Sequence, residues 1–483
     1  MMSALIQKEI LRPTHTSHAY SLIIPRDVLI RDYWMGIYYN NRRIGYTNTI
    51  IQPQEKDKRS GFKINNRTFL ALSVMGTARY VLFEGSSVLG HDLKLDYFKF
   101  NLKSGNYSTE VTGRMGGENV LKLDIATKNY RTTRLVELGN KKDVIFAGLL
   151  NPFDSFARLV PGQVYAMEVF DPFTMQIEKT VITVNPQEEI ELKDKKYKAY
   201  NINVAYKGFE SNAWVDKEGN VLKQQVLGWT MIREDAREAT CLDKDILRGE
   251  SDIIALVSIP SNVAFGNKNV KYLKVKLTGL YDDFDVYDER QQSALDEHGI
   301  IEINTENIAG INVQTLPLSI DDQEEFSKYL AGTPFIQTEE EQIRNLAREI
   351  VGEEKNSWRA TVKLVEWVYQ NIEKTPAISI PSALDVLKTR RGDCNEHTIL
   401  FTALSRSIKI PTKICVGLVC LKEKFYYHAW PRVWVGGWVS VDPTFGQLIA
   451  DATHIKLLEG GIDQQTKLVK ILGKLKVEVM DYQ

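Results

Sequence analysis

Cys394, His428 and Asp442 follow one another near the C-terminus and could together perform nucleophilic chemistry. A cysteine nucleophile needs a neighbouring base that accepts its proton, and that base needs an acceptor that orients it. A histidine and a carboxylate supply both functions. The three residues are therefore candidate catalytic residues for acyl transfer, with the order nucleophile, base and orienting acid along the chain.

The residues around Cys394 predict the start of a helix. Asp393 is a typical N-cap, so Cys394 would lie in the first helical turn. Free backbone N–H groups and the positive end of the helix dipole favour a thiolate there and can stabilise an oxyanion. We therefore expect a lowered pKa for the Cys394 thiol. The following positions repeat at helical spacing up to a proline: Leu400, Leu404, Ile408 and Pro411.

His428 and Asp442 lie on two predicted strands that are separated by a pair of glycines. They must face the same side of the sheet to share a hydrogen bond. A two-residue turn at Gly436-Gly437 would place Asp442 on the face that His428 avoids. The sequence therefore predicts a three-residue loop, Val435-Gly436-Gly437, or a β-bulge before Asp442, either of which sets Asp442 near Trp430.

Other polar and aromatic residues nearby have structural interpretations. His397, one helical turn after Cys394, is an alternative base but is better explained by packing. His454 is interpreted as structural. Three tryptophans are interpreted as core residues, with Trp430 also able to contact substrate: Trp430, Trp434 and Trp438.

The remaining cysteines and the charge balance exclude several classes of protein. Cys241 stands alone, whereas Cys415 and Cys420 lie in one predicted strand and point to opposite faces, so a shared metal site is not expected. The net charge is -1, which gives no support for nucleic acid as a partner. We find no phosphate-binding glycine loop and no His-Glu-x-x-His motif, and expect neither a cofactor nor a metal. We also expect no transmembrane segment and see no signal peptide.

The chain of 483 residues predicts about three domains and an α+β fold. Residues 1–30 form a lead-in segment. Residues 31–245 lack helical periodicity and predict a large antiparallel β domain, and residues 246–320 predict a small β domain. Helical patterns begin near residue 321, so residues 321–483 are expected to form the catalytic domain.

The three motifs together resemble the transglutaminase-like superfamily. The resemblance rests on Gly392-Asp-Cys-Asn-Glu-His397, on His428-Ala-Trp430 and on Trp438-x-x-x-Asp-Pro-Thr444, over roughly residues 340–460. It implies a papain-like core with the triad Cys394, His428 and Asp442. Animal transglutaminases have a tryptophan where this sequence has Ile380, so the resemblance implies an amidase or peptidase acting on a protein or peptide more than a crosslinking enzyme.

Two other functions fit the same residues. One is a transamidase that passes the acyl group to a lysine amine. The other is a binding or scaffold protein whose triad is vestigial and whose β domains carry the function. The region 31–240 is similar to β domains that precede such cores in bacterial envelope proteins. The residues that carry this similarity are Trp34-Met-Gly-Ile-Tyr38 and Trp214-Val-Asp216. This second resemblance suggests the cell envelope, but the sequence itself leaves the compartment open.

Overall fold

The structure is a computed structural model of the whole chain. Contacts between Cα atoms divide it into two compact units, residues 1–126 with 131–251, and residues 127–130 with 252–483. Most of the predicted lead-in segment lies outside the described residues. The structure describes residues 14–15, 19–22, 24, 29–56, 59–74, 77–116, 119–138, 144–146, 156, 159–172, 174–206, 209–226, 228–243, 258–266, 269–281, 284–293, 299–318, 324–377 and 379–483.

The first unit is built on one sheet, in which 16 strands are described. Its order is β1-β11-β12-β13-β14-β15-β16-β2-β3-β4-β5-β6-β7-β8-β9, and β10 pairs with β11. The elements are β1 Thr14–His15, β2 Arg31–Tyr39, β3 Arg42–Lys56, β4 Arg59–Val74, β5 Thr77–Leu89, β6 Leu95–Ser104, β7 Tyr107–Met115, β8 Val120–Thr127, β9 Arg131–Glu137, β10 Val144–Phe146, β11 Val164–Asp171, β12 Gln176–Leu192, β13 Lys195–Tyr206, β14 Phe209–Val215, β15 Val221–Val226, β16 Trp229–Glu234 and helix α1 Ala236–Ala239, with a 3₁₀ turn at Ala19–Leu22.

Alternating apolar residues give this sheet its core face. On β6, Phe98 and Phe100 are fully buried while Lys99 between them is more exposed, which is the two-residue period of a strand. The Phe98 ring packs against Phe146 and Phe170 at centroid distances of 4.7 and 5.0 Å. The hairpin between β2 and β3 turns at Asn40-Asn41, and both asparagines have positive φ.

The second unit contains most of the helices and three smaller sheets. Its elements are β17 Ile259–Pro260, β18 Tyr272–Thr278, β19 Gln291–Ser293, β20 Ile300–Asn304, α2 Ser327–Leu330, α3 Glu341–Val351, α4 Ser357–Asn371, β21 Glu373–Lys374, α5 Ala383–Thr389, β22 Arg391–Gly392, α6 Cys394–Ser407, β23 Thr412–Leu421, β24 Lys424–Trp434, β25 Trp438–Ser440, β26 Ile455–Glu459, α7 Ile462–Leu468 and β27 Lys476–Tyr482, with 3₁₀ turns at Ile308–Gly310 and Val469–Ile471.

A five-stranded sheet and the buried helix α6 form the centre of this unit. The sheet has the order β17-β24-β23-β26, and β25 also pairs with β24. Helix α6 is buried along nearly its whole length, from Glu396 to Arg406, and it packs on β24 and β23. This packing brings the start of α6 to the strand that carries His428.

The segment predicted as a separate small β domain shares its sheet with the end of the chain. Strands β19, β20 and β18 are joined by β27 in a four-stranded sheet. β27 pairs with β18 because its alternating apolar residues, Val477 and Val479, complete the same buried face. Residues 252–483 are therefore one compact unit, which differs from the predicted division at residue 320.

The strand-rich first unit and the mixed second unit confirm the predicted α+β class. Among the described residues, no helix has the length and apolar character that a membrane crossing requires.

Candidate active site

Cys394 is the first residue of α6, and the predicted N-cap before it is confirmed. The Asp393 carboxylate accepts a hydrogen bond from the N–H of Asn395 at 2.9 Å. The Glu396 carboxylate accepts one from the N–H of Asp393 at 2.8 Å. This reciprocal pair is a capping box. The N–H of Cys394, at the first helical position, has no acceptor within the helix and points out of its end.

The glycine before this cap is required by the close approach of Glu396. A Cβ on Gly392 would lie 2.2 Å from the Cβ of Glu396, which is far inside van der Waals contact. The Glu396 side chain can therefore fold back over Gly392 and reach the N–H of Asp393. The Gly-Asp-Cys-Asn-Glu sequence is thus explained by the cap that fixes Cys394.

The Cys394 side chain is partly exposed and lies against β24. Its sulfur is within hydrogen-bonding reach of the N–H of Ala429, the residue after His428. The Thr398 hydroxyl donates to the carbonyl of Ala429 at 3.0 Å. Two turns of α6 are therefore held against the backbone next to His428.

The environment of the Cys394 thiol corrects one expectation from the sequence. Burial raises its pKa well above the ordinary value, and the nearby charge of Asp393 adds to this effect, while the N–H of Ala429 opposes it. The expected lowering of the pKa is therefore wrong. The helix dipole is a modest effect, whereas loss of water and nearby carboxylates both penalise a thiolate.

The hairpin that carries His428 and Asp442 has the predicted three-residue loop. Trp434 pairs with Trp438, so Val435-Gly436-Gly437 forms the connection. Gly436 has φ +107°, and a Cβ there would lie 2.1 Å from the carbonyl oxygen of Asn312. The predicted loop is confirmed.

The resulting register sets Asp442 beside His428. The N–H of Val441 donates to the carbonyl of Pro431 at 3.0 Å, which places Asp442 level with Trp430. His428 Nε2 lies 2.7 Å from Asp442 Oδ2, and both side chains are buried. The register predicted from strand parity is thus observed, and it brings His428 into contact with Asp442.

The Asp442 carboxylate is fully buried and accepts four hydrogen bonds. Its Oδ1 accepts from the N–H of Thr444 at 2.7 Å and of Phe445 at 3.2 Å. Its Oδ2 lies 2.7 Å from His428 Nε2 and 3.0 Å from His454 Nε2. Burial opposes ionisation, but the charge and hydrogen bond of His428, followed by those of His454, hold the pKa of Asp442 well below its usual range.

His454, which the sequence analysis interpreted as structural, belongs to this cluster, and its contact with Asp442 was not expected. It is buried, and its Nδ1 lies 3.2 Å from the carbonyl oxygen and 3.3 Å from Oδ1 of Asp451. Asp442 and His454 are joined by an irregular loop. No periodic pattern relates two positions across such a loop, so the sequence held no signal for their contact.

His397 has no free ring nitrogen to act as a base. Its Nδ1 lies 2.6 Å from the carbonyl oxygen of Asp393, and its Nε2 lies 3.3 Å from that of Ile372. Burial lowers its pKa. The structure therefore favours the packing interpretation of His397 over its role as an alternative base.

Aromatic rings enclose the His428 imidazole. Phe445 stacks on it with a centroid distance of 5.0 Å, and the fully buried Trp430 lies nearly parallel to it at 6.1 Å. Trp434 and Trp438 pack against each other at 5.6 Å, away from this cluster and next to Phe326. These rings limit the orientations that His428 can adopt.

His428, Asp442 and His454 are also the candidate metal-binding group among the described residues. One ligand atom from each lies within 4.8 Å of the others. The separations of 2.7 and 3.0 Å to Asp442 Oδ2 are hydrogen-bond lengths. They are shorter than the roughly 3.3 Å that tetrahedral coordination with bonds of about 2.0 Å would impose. The residues therefore fit shared protons better than an ion.

Residues 344–443 match the model of the Transglutaminase-like superfamily. The matched segment contains Cys394, His428 and Asp442 and ends directly after Asp442. The predicted resemblance is confirmed for these 100 residues, which are similar to a transglutaminase-like core. The match supports cysteine-based catalysis in general.

The chain is similar to several solved structures at low identity, whereas no curated protein sequence matches it. A candidate cysteine protease from Cytophaga hutchinsonii shares 16% identity, with 44% of this chain and 86% of that chain covered and a TM-score of 0.29. A β-barrel-like protein of unknown function from Brucella abortus shares 13%, with 44% and 97% covered and a TM-score of 0.30. A candidate protease from Parabacteroides distasonis ATCC 8503 shares 10%, with 80% and 70% covered and a TM-score of 0.19.

Proposed function

We propose that Cys394, His428 and Asp442 form a catalytic triad for acyl transfer from a carboxamide or peptide bond. The observation that carries the proposal is the 2.7 Å contact between His428 Nε2 and Asp442 Oδ2, on the strand against which the first turn of α6 lies. The contact uses Nε2, so Nδ1 is the nitrogen left for proton exchange with the Cys394 thiol. Substrates are proteins or peptides in this proposal.

The first half-reaction forms a thioester. His428 Nδ1 takes the proton of the Cys394 thiol as the sulfur attacks the carbonyl carbon of the substrate. Because burial raises the pKa of the Cys394 thiol, this transfer is placed within the reaction and not before it. The free N–H of Cys394 stabilises the oxyanion. His428 then returns the proton to the departing amine or ammonia, and the C–N bond breaks.

The second half-reaction releases the acyl group. His428 Nδ1 takes a proton from water, the oxygen attacks the thioester carbonyl, and the C–S bond breaks. The proton then passes to the sulfur, which restores the thiol and leaves a carboxylic acid. Asp442 stays ionised throughout, holds the imidazole by Nε2–H and stabilises its transient positive charge.

Water is proposed as the main acceptor, so the reaction is hydrolysis more than crosslinking. The chain has Ile380 where animal transglutaminases have a tryptophan. The Ile380 side chain is buried and has no N–H to offer to an oxyanion. Nothing in the described site specifically recognises a second, amine substrate.

A peptide with a glutamine carboxamide tests the direction of the reaction. The purified protein is incubated with the peptide, with and without an excess of a primary amine, and products are separated by mass spectrometry. We expect the carboxylic acid to dominate in both samples and Cys394→Ala to form neither product. Dominant amine incorporation would instead support the transamidase, and equal turnover by Cys394→Ala would refute the triad.

A further inference from the structure

Asp442 Oδ2 is shared between two histidines, of which the proposed reaction uses one. His428 lies at 2.7 Å and His454 at 3.0 Å from the same oxygen. The two imidazole rings have a centroid distance of 5.6 Å. Any charge on His454 therefore acts on His428 across a short, buried distance.

A carboxylate on each side of His454 favours a proton on each of its ring nitrogens. Its Nε2 faces the ionised Asp442 carboxylate, and its Nδ1 faces the carbonyl and carboxylate oxygens of Asp451, all of which only accept. A neutral imidazole would turn a lone pair toward one of them. Burial alone would lower the pKa of His454, but hydrogen bonds to Asp442 and Asp451 and their charges raise it.

Asp451, which holds the far side of His454, is itself fixed. The Gln447 amide donates to Asp451 Oδ2 at 2.9 Å, and the N–H and hydroxyl of Thr453 donate to Oδ1 at 2.9 and 2.6 Å. The backbone of Gln447 in turn exchanges two hydrogen bonds with that of Asp442. Gln447, Asp451, His454 and Asp442 thus close a ring of contacts behind His428.

We propose that His454 is a positioning residue that, as an imidazolium, fixes the Asp442 carboxylate and places a second positive charge beside the His428 ring. This inference rests on the proposed function of the triad. His454 touches neither substrate nor nucleophile in this scheme and acts through Asp442 and His428 alone.

The charges around His454 fix the sign of the effect. A second positive charge near His428 makes its protonation harder, whereas Asp442 makes it easier. Removing the charge of His454 should therefore move the onset of His428-dependent reactivity at Cys394 to higher pH. The titratable and charged groups that face His454 or its partners are Asp442, Asp451, His428, Cys394 and His397 near Asp442, and Cys420 near Asp451.

The rate of Cys394 alkylation by iodoacetamide, followed by peptide mass spectrometry over roughly pH 5 to 9, tests this without a substrate. We expect the alkylation rate to fall toward low pH, with a midpoint set by the coupled Cys394–His428 pair. This fall is called the lower limb of the profile. The glutamine amide of His454→Gln can still donate to Asp442 but carries no charge. In this variant the limb should move to higher pH by about 0.5 to 2 pH units. This range corresponds to a unit charge 5.6 Å away at an effective dielectric constant between about 80 and 20.

His397→Gln is the matched control, because it removes a buried histidine whose ring nitrogens contact only backbone carbonyls. Its limb should stay where it is in the unaltered protein. A purely structural role of His454 would lower the unfolding midpoint of His454→Gln and leave the limb in place, which would overturn the inference. If the limb is absent from the unaltered protein or survives in His428→Ala, the triad itself is refuted instead.

A measurement on the unaltered protein keeps the inference testable if His454→Gln does not fold. Histidine labelled with ¹⁵N should show one buried side chain with both ring nitrogens protonated at neutral pH. Two observations would overturn the inference: every histidine neutral at that pH, or the doubly protonated one assigned to a residue other than His454.

Discussion

Replacing Asp442 by asparagine should trap His428 in the wrong tautomer. The N–H groups of Thr444 and Phe445 both donate to Oδ1 and demand an acceptor at that position. The asparagine oxygen must therefore take the place of Oδ1, and its NH₂ group the place of Oδ2. That NH₂ then donates to His428 Nε2, which becomes an acceptor and moves the ring proton to Nδ1.

A proton on Nδ1 blocks the base function of His428, because Nδ1 is the nitrogen that must receive the Cys394 proton. Correctly placed general acid–base catalysis contributes typically about 10²- to 10⁴-fold to a rate. We expect Asp442→Asn to lose about this factor in kcat, with KM little changed, since Asp442 is fully buried and cannot touch the substrate. Raising the pH should not restore activity, because the fault is a tautomer and not a missing deprotonation.

The assay is steady-state hydrolysis of the glutamine peptide, with ¹⁵N spectra of the imidazole to report the tautomer. Asp385→Asn serves as the control, because it replaces another buried carboxylate, one that accepts from the Ser382 hydroxyl at the start of α5. The control should keep its kcat. If Asp442→Asn folds and retains full kcat, then Asp442 does not orient His428 and the third member of the triad is wrong.

Three further predictions follow from the same contacts. Cys394→Ala and His428→Ala should each lower the rate by roughly 10³-fold or more, and the double variant should be little worse than either, because triad members act as a unit; additive losses would contradict this. At pH 7 iodoacetamide should label the exposed Cys241, and it should label Cys394 only while His428 is present. It should label neither Cys415 nor Cys420, because burial raises their pKa to about 12 and about 11. Labelling of Cys394 that is unchanged in His428→Ala would show that His428 does not act on Cys394. Gly436→Ala should lower the free energy of unfolding by about 1–3 kcal/mol, because φ is +107° there. Gly437→Ala, whose added Cβ would lie 3.3 Å from Ile311, should lower it clearly less. Equal urea midpoints of the two variants would refute the loop geometry.

The sequence was sufficient wherever local rules determine the structure. The N-cap follows from Asp393 before the helical repeat, and the three-residue loop follows from strand parity once His428 and Asp442 must meet. These features depend on a few neighbouring residues and on the period of a strand. Strand parity therefore accounts for the contact between His428 and Asp442.

The features that the sequence did not reveal depend on tertiary packing. The contact of His454 with Asp442 spans an irregular loop. The pKa of the Cys394 thiol is raised by burial, which outweighs the helix dipole and is a property of the folded unit. Likewise, the pairing of β27 with β18 joins segments about 200 residues apart, and no local pattern encodes such a partner. The site could thus be predicted in composition but not in its electrostatics.

The most direct test of the central claim is the search for an acyl group on Cys394 during turnover. The protein is mixed with the activated ester p-nitrophenyl acetate, quenched in acid and digested, and each cysteine peptide is examined by mass spectrometry. The account predicts an acetyl group on Cys394, formed faster than on Cys241 and nearly absent in His428→Ala. Release of p-nitrophenol by the unaltered protein with no acetyl on Cys394, or at the same rate in Cys394→Ala, would contradict it.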